Sequence, residues 1–287
     1  MFDRYVVVDW SANSTPKLGR DSIWIAVCER SGQVSTTNLP TRCSAEAFLV
    51  ELFEGDEAAS TLVAVDFSLG YPAGTAAALG LTGVAWSAMW AVLDDRITDD
   101  ARNANNRFAV AAGLNQQLTG VASPFWGCPP SAANAHLTTT KVPLPLSVAE
   151  FRAVEVVLRN SGRRPFSSWQ LLGSGAVGSQ SLMGIPVLER LRRRFTDRLE
   201  VWPFTTGLRS PVVGDGSIVV AEVWPSMFAI DGSSEPVRDA AQVSVTARWL
   251  ATNESSGGLG ALFAPAMPPA AAAGVVAEEG WVLGVVP

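Results

Sequence analysis

Residues 62–72, LVAVDFSLGYP, contain the pattern that decides the fold: an uninterrupted apolar run that ends in a carboxylate. Such a run predicts a β-strand that is buried on both faces, as in the parallel sheets of α/β proteins. Gly70 and Pro72 end the strand. Asp66 is therefore expected at the carboxyl end of a central strand, which is where open α/β sheets bind their ligands.

The first element of the chain repeats this design. Residues 5–11, YVVVDWS, form a β-branched run that ends in Asp9 and is soon followed by a hydroxyl, Ser11. If the two strands are neighbours, Asp9 and Asp66 face each other across one edge of the sheet. Two carboxylates that close repel, and both stay ionised most easily when a cation lies between them.

The composition is typical of a globular protein and limits the kinds of metal site that the chain can form. The 287 residues are 48% hydrophobic and 17% charged, with a net charge of −6. This acidic balance argues against a surface coated with phosphate-binding cations, although it leaves room for a local basic groove. His136 is the only imidazole, which excludes a His-rich zinc site. Any metal is therefore expected on carboxylate oxygens, which favours Mg²⁺ or Mn²⁺.

The cysteines and the hydropathy pattern predict a cytoplasmic location. Cys28, Cys43 and Cys128 are odd in number and widely spaced, which is typical of reduced thiols. The N-terminus lacks a signal-peptide layout. The uncharged stretch 259–277 is interrupted by three prolines, which favours a short helix and a Pro-Ala linker over a membrane span. We expect no membrane partner, and the sequence indicates no oligomeric state.

The order of the predicted elements indicates an α/β fold with a mixed sheet. Three strands suit an antiparallel meander, and a helix over about residues 45–53 then leads to the Asp66 strand. A helical crossover of this kind places the fourth strand parallel to the first. Residues 74–216 are longer than one crossover requires. We expect them to form an insertion, as a lid or side wall, within a single domain of residues 1–287.

Two late elements carry further carboxylates. Residues 218–225, IVVAEVWP, predict an apolar strand that contains Glu222, whose charge is costly to bury unless it is paired or ligated. A helix is predicted over residues 237–250, with Asp239 in its first turn, where the helix dipole favours a carboxylate. Residues 280–286 are expected to form a last strand.

A glycine motif lies between a predicted strand at 168–172 and a predicted helix at about 180–195. Gly173, Gly175 and Gly178 make a literal Gly-x-Gly-x-x-Gly, which is a candidate phosphate-contacting turn. The acidic residue that a dinucleotide site places after the next strand is missing. A dinucleotide loop, a backbone anion site and a plain tight turn all remain open.

These pieces together resemble the RNase H-like superfamily. Its members build a sheet from a three-strand meander, a helix and a parallel strand, and take acidic residues from the first strand, the fourth strand and a late helix. Here those positions are Asp9, Asp66 and Asp239. The helix departs from the junction-resolving members at Gln242, where a second Asp is common.

More narrowly, the chain is similar to the predicted-nuclease family called domain of unknown function 429. The likeness rests on the two Asp strand ends, on EVWP at 222–225, on the start of the Asp239 helix and on GWVLGV at 280–285. It covers both ends of the chain and leaves most of the insertion unexplained.

The resemblance implies a metal-dependent nuclease or phosphodiesterase that acts on nucleic acid or a nucleotide-like phosphodiester. By this resemblance, Asp9, Asp66 and Asp239 would be the metal ligands, and Glu222 would be a further ligand or a group that orients water. Ser11 and Lys17 are the candidates for contacting phosphate.

Three other interpretations remain open. Actin-like ATPases and sugar kinases share this core, so the turns that contain Ser11 and Ser68 could be phosphate loops for ATP. A non-catalytic protein linked to molybdopterin or cobalamin metabolism is the second, and Gln242 and the acidic pI favour it. The third concerns the carboxylates alone, which could be neutralised by an ion-pair network instead of a metal; the candidate cations are Arg20, Arg209 and Arg238.

Overall fold

A computed structural model of the protein describes residues 2–145, 148–173, 175–230 and 235–287. Six strands form the sheet: β1 (Arg4–Asp9), β2 (Ile23–Glu29), β3 (Val34–Leu39), β4 (Thr61–Val65), β5 (Leu199–Val201) and β6 (Ile218–Glu222). Their order across the sheet is β3-β2-β1-β4-β6-β5. β1, β2 and β3 pair antiparallel, whereas β4 is parallel to β1, and β6 is parallel to both β4 and β5. The predicted α/β class, the meander and the parallel fourth strand are confirmed.

Helices cover both faces of this sheet. They are α1 (Arg42–Gly55), α2 (Thr75–Ala78), α3 (Ala85–Arg96), α4 (Arg107–Leu118), α5 (Ala153–Asn160), α6 (Gly178–Arg194), α7 (Arg238–Ser255), α8 (Leu259–Leu262) and α9 (Pro269–Gly274). A short π-helical turn, Val275–Glu279, follows α9.

The alternation of side chains along each strand divides the core into two layers. On β1, Val6 and Val8 pack in the layer that contains α1, α3, α4 and α6. Tyr5 and Val7 pack on the opposite face with α7 and the C-terminal segment. We call these two sides of the sheet the α6 face and the α7 face. The same alternation decides to which face each carboxylate at the end of a strand points.

Two predicted strands are loops that each make one β-bridge. Residues 168–172 contribute only the bridge between Gln170 and Trp126, and residues 280–286 only the bridge between Val282 and Glu222. The bridge at Val282 is supported by the Leu283 N–H, which donates to the carbonyl of Glu222 at 2.8 Å. The C-terminal segment therefore extends the sheet by one contact and is otherwise held by packing.

The region 74–216 contributes to the main core as well as to the side of the molecule. Within it, α6 packs against α1, α3 and α4, and β5 forms the edge of the sheet. Helix α4 begins only at Arg107, because Asp99 and Asn105 form a bridge before it and Asn103 adopts a positive φ of 67°. Pro186 lies inside α6.

Two further findings bear on the environment of the chain. Cys28 and Cys128 are buried, Cys43 is exposed, and all three are free thiols. Within the ranges described above, no helix combines the length and the apolar character that crossing a bilayer requires.

Candidate functional site

The register of β1 and β4 brings Asp9 and Asp66 together. The strands pair in parallel with Val8 opposite Val65, and the Asp66 N–H donates to the Val8 carbonyl at 3.2 Å. Asp9 and Asp66 are therefore the next opposed pair, at the carboxyl edge of the sheet. Both follow the alternation of the residues that point to the α7 face, so both carboxylates project to the same side.

The two carboxyl groups share a hydrogen bond and compete for ionisation. Burial, followed by the charge of Asp66 and the hydrogen bond to it, raises the pKa of Asp9 well above its usual range. Burial also raises the pKa of Asp66, to about 7, although its Oδ1 accepts the Trp10 N–H at 2.8 Å, which favours the charged form. Both shifts favour a proton shared between the two carboxyl groups over two separate negative charges.

Asp239 completes what we call the aspartate cluster: Asp9, Asp66 and Asp239. It lies in the first turn of α7, and its charge raises the pKa of both other members. One of its oxygens, Oδ2, accepts the Asp21 N–H at 2.7 Å. In the described ranges, no Arg or Lys forms an ion pair with any member of the cluster.

The three arginines that were candidates for neutralising this cluster form no ion pair with it in the described ranges. Arg20 lies 3.8 Å from the exposed Asp21, and Arg209 donates to the Thr206 carbonyl. Arg238 is exposed at the start of α7. We therefore expect bound protons or a ligand to neutralise the negative charge of the cluster.

Glu222 belongs to a different group. Its register partner on β4 is Val65, not Asp66, so its side chain points to the α6 face. Arg152 donates to both of its oxygens, from Nη1 to Oε2 at 2.7 Å and from Nη2 to Oε1 at 2.6 Å. The expectation that Glu222 would join the aspartates is corrected, because a shift of one residue along a strand reverses the face.

Arg152, Glu155 and Glu222 form what we call the Arg152 network, and all three are at least 96% buried. Arg152 also holds Glu155, with Nη2 donating to Oε1 at 2.5 Å, and the carbonyl of Glu279. The charges of the two glutamates raise the pKa of Arg152 above its usual value in spite of burial. Buried charges are here paired and hydrogen-bonded.

The three predicted phosphate contacts at the strand ends differ in accessibility. The Ser11 hydroxyl donates to the Asp21 carbonyl at 3.2 Å, and Lys17 Nζ lies 3.4 Å from Asp21 Oδ2 in an exposed ion pair. Ser68 is 2% exposed. Ser11 and Lys17 thus border the loop beside the aspartate cluster, whereas Ser68 is part of the interior.

The glycine motif has packing roles that the sequence did not specify. A Cβ on Gly178 would lie 2.5 Å from the Ser168 carbonyl oxygen, so only glycine fits where α6 begins. Gly175 and Gly173 adopt positive φ values of 81° and 122°. Ser174 lies outside the described residues. The start of α6 does reach the candidate site, because the Gln180 amide donates to the Trp10 carbonyl at 2.6 Å.

Sequence reasoning missed two arginines beneath the loop that follows Asp9. Arg42 donates to Asp99 through two nitrogens, at 2.5 and 2.6 Å, and to the carbonyls of Ser11 and Asn13. Arg107 lies next to it at the start of α4. Neither position has a periodic or motif signal, because both side chains reach the site from distant segments. Arg152 had a weak signal, namely Glu155 three residues later at a helix start.

Comparison with known proteins adds no relative: no family model, no curated protein and no solved structure matches the chain. In the part of the chain that the structure describes, no group of three or more His, Cys, Asp or Glu side chains has the spacing of a preformed metal site. The geometry of the aspartate cluster therefore carries the functional argument by itself.

Proposed function

We propose that the protein is an RNase H-like, metal-dependent phosphodiesterase and that nucleic acid or a nucleotide-like phosphodiester is its substrate. The strand order β3-β2-β1-β4-β6, with an antiparallel meander and parallel later strands, supports the fold assignment. The observation that carries the functional proposal is the contact between Asp9 and Asp66 at the carboxyl edge of this sheet, with Asp239 nearby and no neutralising arginine in the described ranges.

The donor set fits a hard divalent cation. It consists of carboxylate oxygens, which Mg²⁺ and Mn²⁺ prefer. In the described ranges no Arg or Lys forms an ion pair with Asp9 or Asp66, and burial together with their mutual repulsion raises the pKa of both. Asp9 and Asp66 would hold the cation after losing their shared proton, and Asp239 would approach from α7.

The residues of the chain then have distinct tasks. A bound cation would supply Lewis-acid activation of the phosphoryl group and of water. Trp10 keeps Asp66 oriented through the hydrogen bond from its N–H at 2.8 Å. Asp21 orients Asp239 through its N–H at 2.7 Å. Ser11 and Lys17 border the same loop, where a phosphate oxygen would need donors.

Metal-dependent melting of the protein tests the site. We expect millimolar Mg²⁺ or Mn²⁺ to raise the Tm of the wild-type protein, and we expect Asp9→Asn and Asp66→Asn to abolish that increase. Asp197→Asn is the matched control, because it removes the same charge from an exposed position outside the cluster. A wild-type Tm that neither cation changes would defeat the metal site.

Hydrolysis of fluorescent single-stranded and duplex oligonucleotides, and of a chromogenic phosphodiester, tests the activity. Cleavage should require the divalent cation, vanish in Asp9→Asn and persist in Asp197→Asn. If the protein binds the metal but cleaves none of these substrates, the proposed cation site stands and the phosphodiesterase assignment is wrong.

A further inference from the structure

Arg107 is a buried cation without a carboxylate partner. Its side chain belongs to a residue that is only 7% exposed, and in the described ranges it forms no salt bridge. The nearest acidic group, Asp99, already binds Arg42 through both oxygens. Two arginines and one aspartate leave one positive charge in excess at this place, which is costly to bury without an anion.

The neighbours of Arg107 are neutral hydrogen-bonding groups. Its Nε donates to Ser179 Oγ at 3.1 Å, and its Nη1 donates to Ser14 Oγ at 2.9 Å and to Asn105 Oδ1 at 2.8 Å. Its Nη2 has no hydrogen-bond partner among the residues that the structure describes. The guanidinium also lies 4.3 Å from the centroid of the Phe108 ring, which offsets part of the cost of burial.

The charge of Arg107 persists at neutral pH. Burial and the charge of Arg42 lower the pKa of Arg107, but only to about 10. Its position at the first turn of α4 is also unfavourable, because the N-terminus of a helix carries a partial positive charge. Three features therefore favour an anion at this place: burial, the neighbouring cation and the helix dipole.

The start of α6 provides further donors beside Arg107. Ser179, which contacts the guanidinium, and Gln180 lie in the first turn of this 17-residue helix. Within the described ranges their backbone N–H groups have no hydrogen-bond partner, whereas the N–H groups of Gly178 and Ser181 donate to carbonyls. Free amides at a helix start are suited to bind phosphate.

We propose that Arg107, Ser14 and the first turn of α6 bind a phosphate group. The site is separated from the aspartate cluster by the loop at residues 10–14, because Gln180 holds Trp10 and Arg107 holds Ser14. It deepens the proposed function by giving a second phosphate of the substrate a binding site on the other side of this loop, and it rests on that function for the choice of a phosphodiester substrate. The anion site itself rests only on Arg107 and α6.

Thermal melting with inorganic phosphate, in buffer without divalent cations and with chloride at matched ionic strength as reference, tests the anion site. We expect phosphate to raise the Tm of the wild-type protein and Arg107→Gln to abolish the increase. Arg102→Gln is the matched control, since Arg102 is exposed in the same segment. A wild-type increase no greater than that of chloride, or an equal increase in Arg107→Gln, overturns the proposal.

A second measurement keeps the test decisive if Arg107→Gln does not fold. Amide NMR spectra of the wild-type protein should show the Ser179 and Gln180 signals shifting with phosphate, and Ser14→Ala should weaken binding several-fold. Signals of Ser179 and Gln180 that do not move overturn the proposal.

The source of the phosphate is distinguished by two further ligands, a nucleoside 5′-monophosphate and a short oligonucleotide. Tighter binding of the oligonucleotide, lost in Arg107→Lys and retained in Asp9→Asn, supports a nucleic-acid strand as partner. Tighter binding of the mononucleotide, with the same dependence on Arg107, supports a nucleotide. Because Asp9→Asn removes only the cation site, phosphate binding that survives in it separates this proposal from the phosphodiesterase assignment.

Discussion

Two carboxylate groups at the same edge of one sheet are neutralised in different ways. The aspartate cluster at β1, β4 and α7 holds three carboxylates with no ion-paired cation in the described ranges, and the pKa values of two of them are raised. The Arg152 network at β6 holds two glutamates around one guanidinium. A compensated group contributes to a defined structure, whereas an uncompensated group is available for a ligand.

Removing the cation of the Arg152 network should have the largest effect. Arg152→Met leaves Glu155 and Glu222 buried and unpaired, so we expect the free energy of unfolding to fall by about 3–5 kcal/mol. Urea denaturation at neutral pH measures it, and Arg102→Met is the exposed control. Adding Glu155→Gln and Glu222→Gln should recover part of the loss. A cost below about 1 kcal/mol would mean that the network is not what neutralises Glu222.

Removing one charge from the aspartate cluster should change the free energy of unfolding in the opposite direction. At pH 8 and without divalent cations, Asp9→Asn relieves repulsion with Asp66 and Asp239, so we expect stability to hold or to rise by about 1–2 kcal/mol. The measurement is urea denaturation beside Asp197→Asn, which should be neutral. A clear loss of stability in Asp9→Asn would show that the cluster is compensated after all.

The pH dependence of stability should separate the two groups further. Because the pKa of Asp66 is raised to about 7 in the folded state, the folded protein binds more protons than the unfolded chain between about pH 4 and pH 7. The free energy of unfolding should therefore fall as the pH rises through this range. Asp66→Asn should flatten the profile, and Asp197→Asn should not. A wild-type profile that rises from pH 5 to pH 7 would contradict the shared proton.

The exposed pair of Lys17 and Asp21 should have the smallest effect. Its side chains are 41% and 67% exposed, so water and salt screen their attraction. We expect Lys17→Ala to change the free energy of unfolding by less than about 0.5 kcal/mol. The same variant also tests function. Weaker binding of an oligonucleotide at unchanged stability would identify Lys17 as a residue that contacts phosphate.

Several features of this protein follow from local patterns. The apolar runs before Asp9 and Asp66 indicate buried strands, because they are short and rich in β-branched residues, which favour the extended conformation. The meander followed by a helical crossover specifies which strands are parallel. Asp239 in the first turn of α7 follows from the helix period and the dipole. The sequence by itself therefore determined the class of the sheet, the position of two aspartates at its edge and that of a third at the start of a late helix.

Only the tertiary structure decided how each charge is neutralised. Glu222 ends an apolar strand as Asp9 and Asp66 do, but its register places it opposite Val65 and turns it to the other face. Its partner, Arg152, lies 70 residues away in sequence, and Arg107 meets Ser179 across 72 residues. Register and such long-range contacts depend on how whole layers pack, because a shift of one residue along a strand keeps the same sequence and turns every side chain to the other face.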